Sequence, residues 1–371
     1  MLVTRLDIRN LRCVTEASLR PVAGLNLITG ENGAGKTSLL EGLHLMAYGR
    51  SFRGRVRDGL VRSGQPALEV FVEWQEQQGA RVRRAGLQHG GAEWQGRLDG
   101  AEVAQLGELC AALAVVSFEP GSHALVSGGG EPRRRFVDWG LFHVEPEFLP
   151  YWRRYSRALK QRNALLKSGA GGRQLDAWDT ELAESGETLT RRRQEYLERL
   201  QPQVQAVAAD LVPSLGRAWL DFQPGWRRQE LSLADALLLV RQRDLQSGFT
   251  SVGPHRADWR IGYAARPGQE PLSRGQAKLT ALSCLLAQAE DYAAQRGEWP
   301  VMALDDLASE LDRRHQLGVL RRLRAGQAQV FMTGTEPPVG LGDEIAPDAV
   351  FHVELGQVSV LGAVATAANT L

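Results

Sequence analysis

Apolar and polar residues alternate from Leu2 to Ile8, the pattern of a strand with one face in a core. A short apolar strand follows at Leu25–Thr29 and stops at Gly30. From Ser38 to Tyr48 the spacing of Leu39, Leu40, Leu43 and Met46 predicts a helix. Alternation returns over Ala67–Trp74, and Ala112–Phe118 is a continuous apolar run, as in a strand buried on both faces. The pattern then changes. Phe148–Lys167 and Gln174–Val212 are rich in Leu, Arg, Glu, Ala and Gln at helical spacing, and the glycine-containing stretch Lys167–Arg173 predicts a loop between them. The two form a helical hairpin, either packed as a bundle or projecting as a coiled coil, and Gly186 and Pro202 predict a break in its longer arm. Strand patterning resumes at Asp258–Tyr263, Val301–Leu304 and Val330–Thr333, each after a helical stretch, as in βαβ units. Val350–Leu355 and Val358–Leu361, joined through Gly356-Gln357, predict a terminal hairpin. The small, polar tail Ala363–Leu371 predicts disorder.

A length of 371 residues fits two domains, or one with a large insertion. The formal net charge is only +1, so any contact with nucleic acid must come from a local basic patch rather than from overall charge. Cys13, Cys110 and Cys284 are scattered, which argues against a metal site or disulfide framework and fits a reducing, cytoplasmic setting. The first residues lack the apolar core of a signal peptide, and no run is long enough to span a membrane.

Three segments carry candidate chemistry. Gly30-Glu31-Asn32-Gly33-Ala34-Gly35-Lys36-Thr37 matches G-x-x-x-x-G-K-[ST] and lies between a predicted strand and a predicted helix. Glycines let backbone N–H groups curl around a phosphate, and the helix N-terminus adds its dipole. Lys36 would reach the β- and γ-phosphates of ATP, and Thr37 would ligate Mg²⁺. In Val301–Asp306 an apolar strand delivers two acids: Asp305 to hold Mg²⁺, Asp306 to polarise the attacking water. Leu272-Ser273-Arg274-Gly275-Gln276 is similar to the L-S-G-G-Q signature of ABC ATPases and opens an apolar helix with Ser273 near its cap. In ABC proteins that helix faces the γ-phosphate held by a second subunit, which would make Ser273, Gly275 and Gln276 nucleotide contacts across a dimer. Ser309-Glu310-Leu311-Asp312 resembles the D-loop of the same class. Thr333 stands where many relatives carry a switch histidine, with a γ-phosphate role as one reading.

Lys36 and Ser273 are 237 residues apart, far more than in transporter ATPases and far fewer than in SMC proteins or Rad50. With Gly49–Arg53, Phe118–Pro120, Pro132–Asp138 and Thr250–Asp258, this compact insertion resembles the RecF family of bacterial recombination mediators. Departures from the family pattern are Gly121-Ser122-His123, Ala257, and Asp306 in place of the commoner glutamate, which suggests slow hydrolysis.

The resemblance implies an α/β fold. An ABC-type P-loop ATPase head, a mixed β-sheet with flanking helices, would be formed by residues 1–118 and 249–371 around a mostly helical insertion, 119–248. It also implies an ATP-dependent homodimer that binds single-stranded or gapped DNA and acts with RecR and RecO to load RecA in repair, replication restart and SOS induction. A transporter ATPase subunit and an SMC-like chromosome protein are the alternatives. Arg133–Arg135 and Arg191–Arg193 are basic triplets that read either as DNA contacts or as ordinary solvated or interdomain positions. His255, in a Gly-Pro turn, reads as structural or as close to the nucleotide.

Overall fold

The structure is a computed structural model that describes residues 1–53, 59–90, 93–169, 172–267, 270–335 and 345–363. The chain opens with β1 (Leu2–Leu11), β2 (Val14–Leu19), β3 (Leu25–Thr29), α1 (Lys36–Tyr48), β4 (Leu68–Glu76), β5 (Arg81–His89), β6 (Trp94–Leu98), β7 (Ala101–Glu102), α2 (Leu106–Ala112) and β8 (Val115–Phe118). It continues with α3 (Ala124–Ser127), α4 (Gly130–Val144), α5 (Phe148–Ser168), α6 (Arg173–Leu211), β9 (Ala218–Gln223), α7 (Leu233–Ser247), β10 (Asp258–Tyr263) and α8 (Arg274–Arg296). It closes with β11 (Val301–Leu304), α9 (Leu307–Glu310), α10 (Arg313–Ala325), β12 (Val330–Thr333), β13 (Ala349–Glu354) and β14 (Gln357–Ala363). The expected disorder of Ala363–Leu371 falls, beyond residue 363, outside the described residues.

Two compact units emerge: residues 1–122 with 289–371, and residues 123–288. The first contains two six-stranded sheets, β2-β1-β4-β5-β6-β7 and β14-β13-β3-β12-β11-β8. The first sheet is antiparallel throughout. In the second, β13, β3, β12, β11 and β8 run parallel and only β14 turns back. Parallel strands share one carboxyl edge, where open α/β sheets bind their ligands. Helix α1 is buried along nearly its whole length, packed against strands of both sheets. It sits so close to β1 that a methyl group on Gly42 would meet Ile8 Cδ1 at 2.5 Å. Leu39, Leu40, Leu43, Leu45 and Met46 therefore share one core with Leu6, Ile8, Val70, Val72 and Phe331.

In the second unit α6 packs along α5, with α4 and α7 also against it, and the β9–β10 ladder closes one side. The inserted region was expected to end at residue 248, whereas residues 249–288 group with it. The reason is pairing: β10 finds its only strand partner among the described residues in β9, Trp259 Nε1 donates to Arg133 O, and Gln288 Nε2 donates to Phe136 O.

Two local expectations are corrected. The strand expected over Ala112–Phe118 begins at Val115, because Ala112 closes α2. The break expected at Gly186 and Pro202 does not occur: α6 is one helix of 39 residues, roughly 58 Å long at 1.5 Å per residue. Pro202 and Glu198 are both exposed, so the carbonyl that proline leaves without a donor faces water. Gly186 is required by packing, since a Cβ there would lie 2.4 Å from Leu233 Cδ2.

Candidate functional site: a phosphate loop facing paired carboxylates

The loop after β3 turns on three glycines with positive φ: Gly30 at 145°, Gly33 at 84° and Gly35 at 119°. Gly30 also has no room for a side chain, because its Cβ would fall 2.2 Å from Val353 O. The loop is braced from two directions. Gly356 N–H, in the β13–β14 turn, donates to Ala34 O at 2.9 Å, and a Cβ on Gly35 would meet Val14 and Cys13 of the β1–β2 turn at 3.2 and 3.3 Å. Gly35 caps α1 with no side-chain hydrogen bond, which leaves the helix N-terminus open toward an anion.

Lys36 folds back into this loop. Its Nζ donates to Gly30 O at 2.7 Å and Glu31 O at 2.8 Å. Burial pulls its pKa below the usual lysine range, against the opposing pull of Asp306 and Asp305. An ammonium held by carbonyls alone, with two carboxylates nearby, is poised to pair with phosphate oxygens.

The carboxylates come from the neighbouring strand ends. β12 lies between β3 and β11 in the sheet, so the Asp305 carboxylate crosses in front of β12 to meet Thr37. Thr37 Oγ1 donates to Asp305 Oδ1 at 2.9 Å, and Thr333 Oγ1 donates to the same oxygen at 2.7 Å. Asp306 N–H donates in turn to Thr333 Oγ1 at 2.9 Å. Burial raises the pKa of Asp305, and the two threonine hydroxyls oppose that shift. Asp306 adopts a left-handed backbone, φ 51° and ψ 42°, and its Oδ2 accepts from Ser309 Oγ at 2.5 Å. Thr333 is thus a hydrogen-bonded spacer between the two acids. A γ-phosphate role was one reading of Thr333 from the sequence; the signal for the spacer role was its position at the end of the strand between β3 and β11.

A small hard cation fits this set. Thr37 and Asp305 supply oxygen donors, and a cation beside the buried Asp305 would offset its desolvation. Among the described residues no group of three or more His, Cys, Asp or Glu can hold a metal alone. The pair therefore suits Mg²⁺, which commonly takes one or two protein oxygens, waters and the phosphates of its substrate.

The structure brings together Gly30–Thr37, Asp305 and Asp306. Ser273, Gly275 and Gln276 belong to the other compact unit. There Ser273 and Gln276 form a reciprocal cap: Gln276 N–H donates to Ser273 Oγ at 3.3 Å, and Ser273 N–H donates to Gln276 Oε1 at 3.0 Å. Gly275 is exposed, and a Cβ there would touch nothing within 4 Å. Asp312 caps α10 through His315 N–H and also binds His315 Nδ1 at 2.7 Å.

Most of the candidate DNA-contact triplets are committed to structure. Arg133 is buried and binds Asp258 at 2.6 and 2.8 Å and the carbonyl of Gly128 at 2.9 Å. Arg193 is buried and grips Asp138 with two bonds of 2.8 Å. Arg134 donates to Ala257 O and Arg135 pairs with Glu131, whereas Arg191 is exposed. His255 is structural: Nδ1 meets Tyr155 OH at 2.7 Å and Nε2 meets Thr250 O at 2.9 Å.

The family model described as RecF/RecN/SMC N terminal domain matches residues 2–341. The chain is 68% identical over 361 residues to the DNA replication and repair protein RecF of Stenotrophomonas maltophilia (strain R551-3), covering 96% of this chain and 99% of that one. It is 39% identical to the protein of that name from Thioalkalivibrio sulfidiphilus (strain HL-EbGR7), over 97% of this chain and 99% of the relative. Among solved structures, the recombination mediator protein RecF-ATP in the RecFOR pathway superposes with a TM-score of 0.87 at 26% identity, over 97% of this chain and 98% of the other. An Smc head bound to a domain of ScpA shares the fold, with a TM-score of 0.58 at 14% identity over 97% of each chain.

Proposed function

The chain belongs to the RecF family of DNA replication and repair proteins, and on that premise we propose that it is an ATP-operated DNA clamp of the recombination-mediator pathway. ATP and Mg²⁺ bind at Gly30–Thr37 and Asp305. Two copies close on the nucleotide, each offering the Ser273–Gln276 helix start to the other's γ-phosphate. The closed dimer binds single-stranded or gapped DNA and works with RecR and RecO so that RecA is loaded. Hydrolysis, with Asp306 orienting water, reopens it.

The observation that carries this reading is the convergence of Lys36, Thr37, Asp305 and Asp306 around one open helix N-terminus. Two further features support it. Glycine is a poor helix former, and nothing among the described residues around Gly275 requires one. A second body approaching that turn does. Two similar solved structures are described as the recombination mediator protein RecF-ATP and RecF-ATPrS, in the RecFOR pathway.

The bound metal supplies charge neutralisation and orientation of the phosphates; the protein's own groups do the rest. Lys36 pairs with phosphate oxygens in place of the Gly30 and Glu31 carbonyls, and Thr333 holds Asp305 and Asp306 in a fixed relation. Sedimentation with and without ATP, each with and without gapped DNA, tests the proposal. The expected result is a dimer only with ATP and DNA binding only by the dimer. A monomer throughout, or DNA binding indifferent to ATP, defeats it.

A further inference from the structure

Helix α5 contains six basic residues, Arg153, Arg154, Arg157, Lys160, Arg162 and Lys167, and no aspartate or glutamate in its 21 residues. The whole chain has a net charge of only +1, so this concentration is local. Two of the six are neutralised. Arg162 is fully buried between Asp179 and Asp244, and Arg154 is bound by Glu181 and Glu184. Arg153, Arg157, Lys160 and Lys167 are exposed and make no salt bridge among the described residues. At offsets of 4, 7 and 14 residues from Arg153 they fall on one helical face. That stripe runs about 21 Å at 1.5 Å per residue.

Beside the stripe lies a groove of about 540 Å³, lined by Arg153, Arg154, Arg157, Ala177, Trp178 and Glu181. Its charges sum to a positive value, and Glu181 is already bound bidentately by Arg154 at 2.5 and 2.7 Å. Its wall is the half-buried indole of Trp178 on α6, and Trp152 stands exposed at the head of the stripe. Free cations in register along a helix, next to an aromatic face, match the two needs of a single nucleic-acid strand: phosphate neutralisation and base stacking. A duplex offers no unstacked base to the indole, so the aromatic wall favours the single strand.

We propose that the α5–α6 groove binds single-stranded DNA, with phosphates against Arg153 and Arg157 and a base against Trp178. This rests on the reading that the chain binds DNA, and it adds where the single strand is held. Lys160 and Lys167 extend the phosphate track along α5. The buried arginines Arg133, Arg162 and Arg193 take no part, because their guanidinium groups are occupied within the fold.

The test uses the full chain with ATP and Mg²⁺, a labelled oligothymidylate as single-stranded probe and a labelled duplex of the same length. Arg153→Glu with Arg157→Glu should weaken oligothymidylate binding at least tenfold. It should also flatten the plot of log K against log salt by about 1.4, at about 0.7 per phosphate contact on a single strand. Arg153→Gln with Arg157→Gln should give a smaller loss and a similar change of slope. Trp178→Ala should weaken binding several-fold with the slope unchanged, and Trp178→Phe should restore most of it. Arg217→Glu with Arg227→Glu alters net charge equally on exposed sites elsewhere in the unit and should stay within about twofold of wild type. If the Arg153/Arg157 variants bind the oligonucleotide like wild type, the groove is not the site. If wild type binds duplex but no single strand, the groove assignment fails while DNA binding stands. If wild type binds neither probe in any nucleotide state, the underlying reading fails with it. Loss of association with a partner protein, with DNA binding intact, would reassign the groove as a protein surface.

Discussion

Thr333 Oγ1 donates to Asp305 Oδ1 at 2.7 Å, so the end of one strand fixes the carboxylate at the end of its neighbour. Thr333 Oγ1 in turn accepts Asp306 N–H, which ties both acids to one buried hydroxyl. Thr333→Val keeps the shape and removes both bonds, leaving a buried carboxylate short of a donor at a cost of about 1–3 kcal/mol. ATP turnover should fall about tenfold to a hundredfold, with Thr333→Ser retaining most activity. Steady-state kinetics of the two variants decide it. Near-normal turnover in Thr333→Val with loss in Thr333→Ser would mean that the methyl group, not the hydroxyl, matters.

Asp306 occupies a left-handed backbone position at φ 51°. Aspartate and asparagine tolerate that conformation far better than alanine, for which it costs about 1–2 kcal/mol. Asp306→Asn should therefore melt like wild type, bind ATP, and hydrolyse it at least about a hundredfold more slowly, the scale of a lost general base. Asp306→Ala should lose hydrolysis and also melt at a lower temperature. Wild-type turnover by Asp306→Asn would remove Asp306 from the water-orienting role.

Lys36 Nζ binds two loop carbonyls and has no other hydrogen-bonding partner among the described residues. Lys36→Met should cut ATP affinity by about tenfold to a hundredfold, the scale of one or two charged hydrogen bonds. Lys36→Arg should bind weakly and not turn over, since a planar guanidinium cannot replace the compact ammonium. Nucleotide titration followed by fluorescence reads both, and unchanged affinity in Lys36→Met would remove the loop from the ATP site.

Ser273 caps its own helix through Gln276, and the face beyond it is open. Ser273→Arg should leave ATP binding by the monomer near normal while abolishing the ATP-dependent dimer, because a ligand shifts an equilibrium only through contacts that differ between its states. Mixed with Lys36→Met it should recover some dimer, since one composite site is then intact. Analytical ultracentrifugation of each variant and of the mixture separates these outcomes. A normal dimer from Ser273→Arg alone would show that the nucleotide is not shared between copies.

Burial lowers the pKa of His44 to about 3 and of His255 to about 4, each from 6.5. Both rings stay neutral in the fold, while the unfolded chain takes up protons as pH falls below 6.5. The unfolded state thus binds more protons between pH 6.5 and about 4, and stability declines as pH drops through that window. His255 alone contributes up to roughly 3 kcal/mol of this loss. Melting temperatures from about pH 7 to about pH 5 should fall in wild type and fall less steeply in His255→Gln. Parallel slopes would show that His255 is protonated without cost.

The glycine loop after β3 and the two acids that face it were legible in the sequence as elements, because each rests on local pattern: a strand, a glycine turn or acid at its end, and a helix. Helix α1 was legible too, although its burial by both sheets was not. Nonlocal facts were hidden. Strand β9 escaped because Trp219 lies on its outer face and breaks the alternation of Ala218, Leu220 and Phe222. The continuity of α6 depends on which way Pro202 faces, and the burial of Arg133 and Arg193 on Asp258 and Asp138, far away in sequence. Basic triplets in a sequence do not announce their partners. The free stripe on α5 was visible as letters, but only packing separates Arg153 and Arg157 from the committed Arg154 and Arg162.

The brace on the phosphate loop sets the order in which the molecule becomes competent. Gly30–Thr37 are made early, yet the carbonyl packed against Gly30 and the amide that holds Ala34 belong to Val353 and Gly356. Strand β3 itself lies between β12 and β13, so on the ribosome it waits with both edges unpaired. At about 5–20 residues per second, the interval between loop and brace is roughly 15–60 s. A nascent chain passes that time without a finished cradle, and the phosphate loop is braced only once its last strands are delivered.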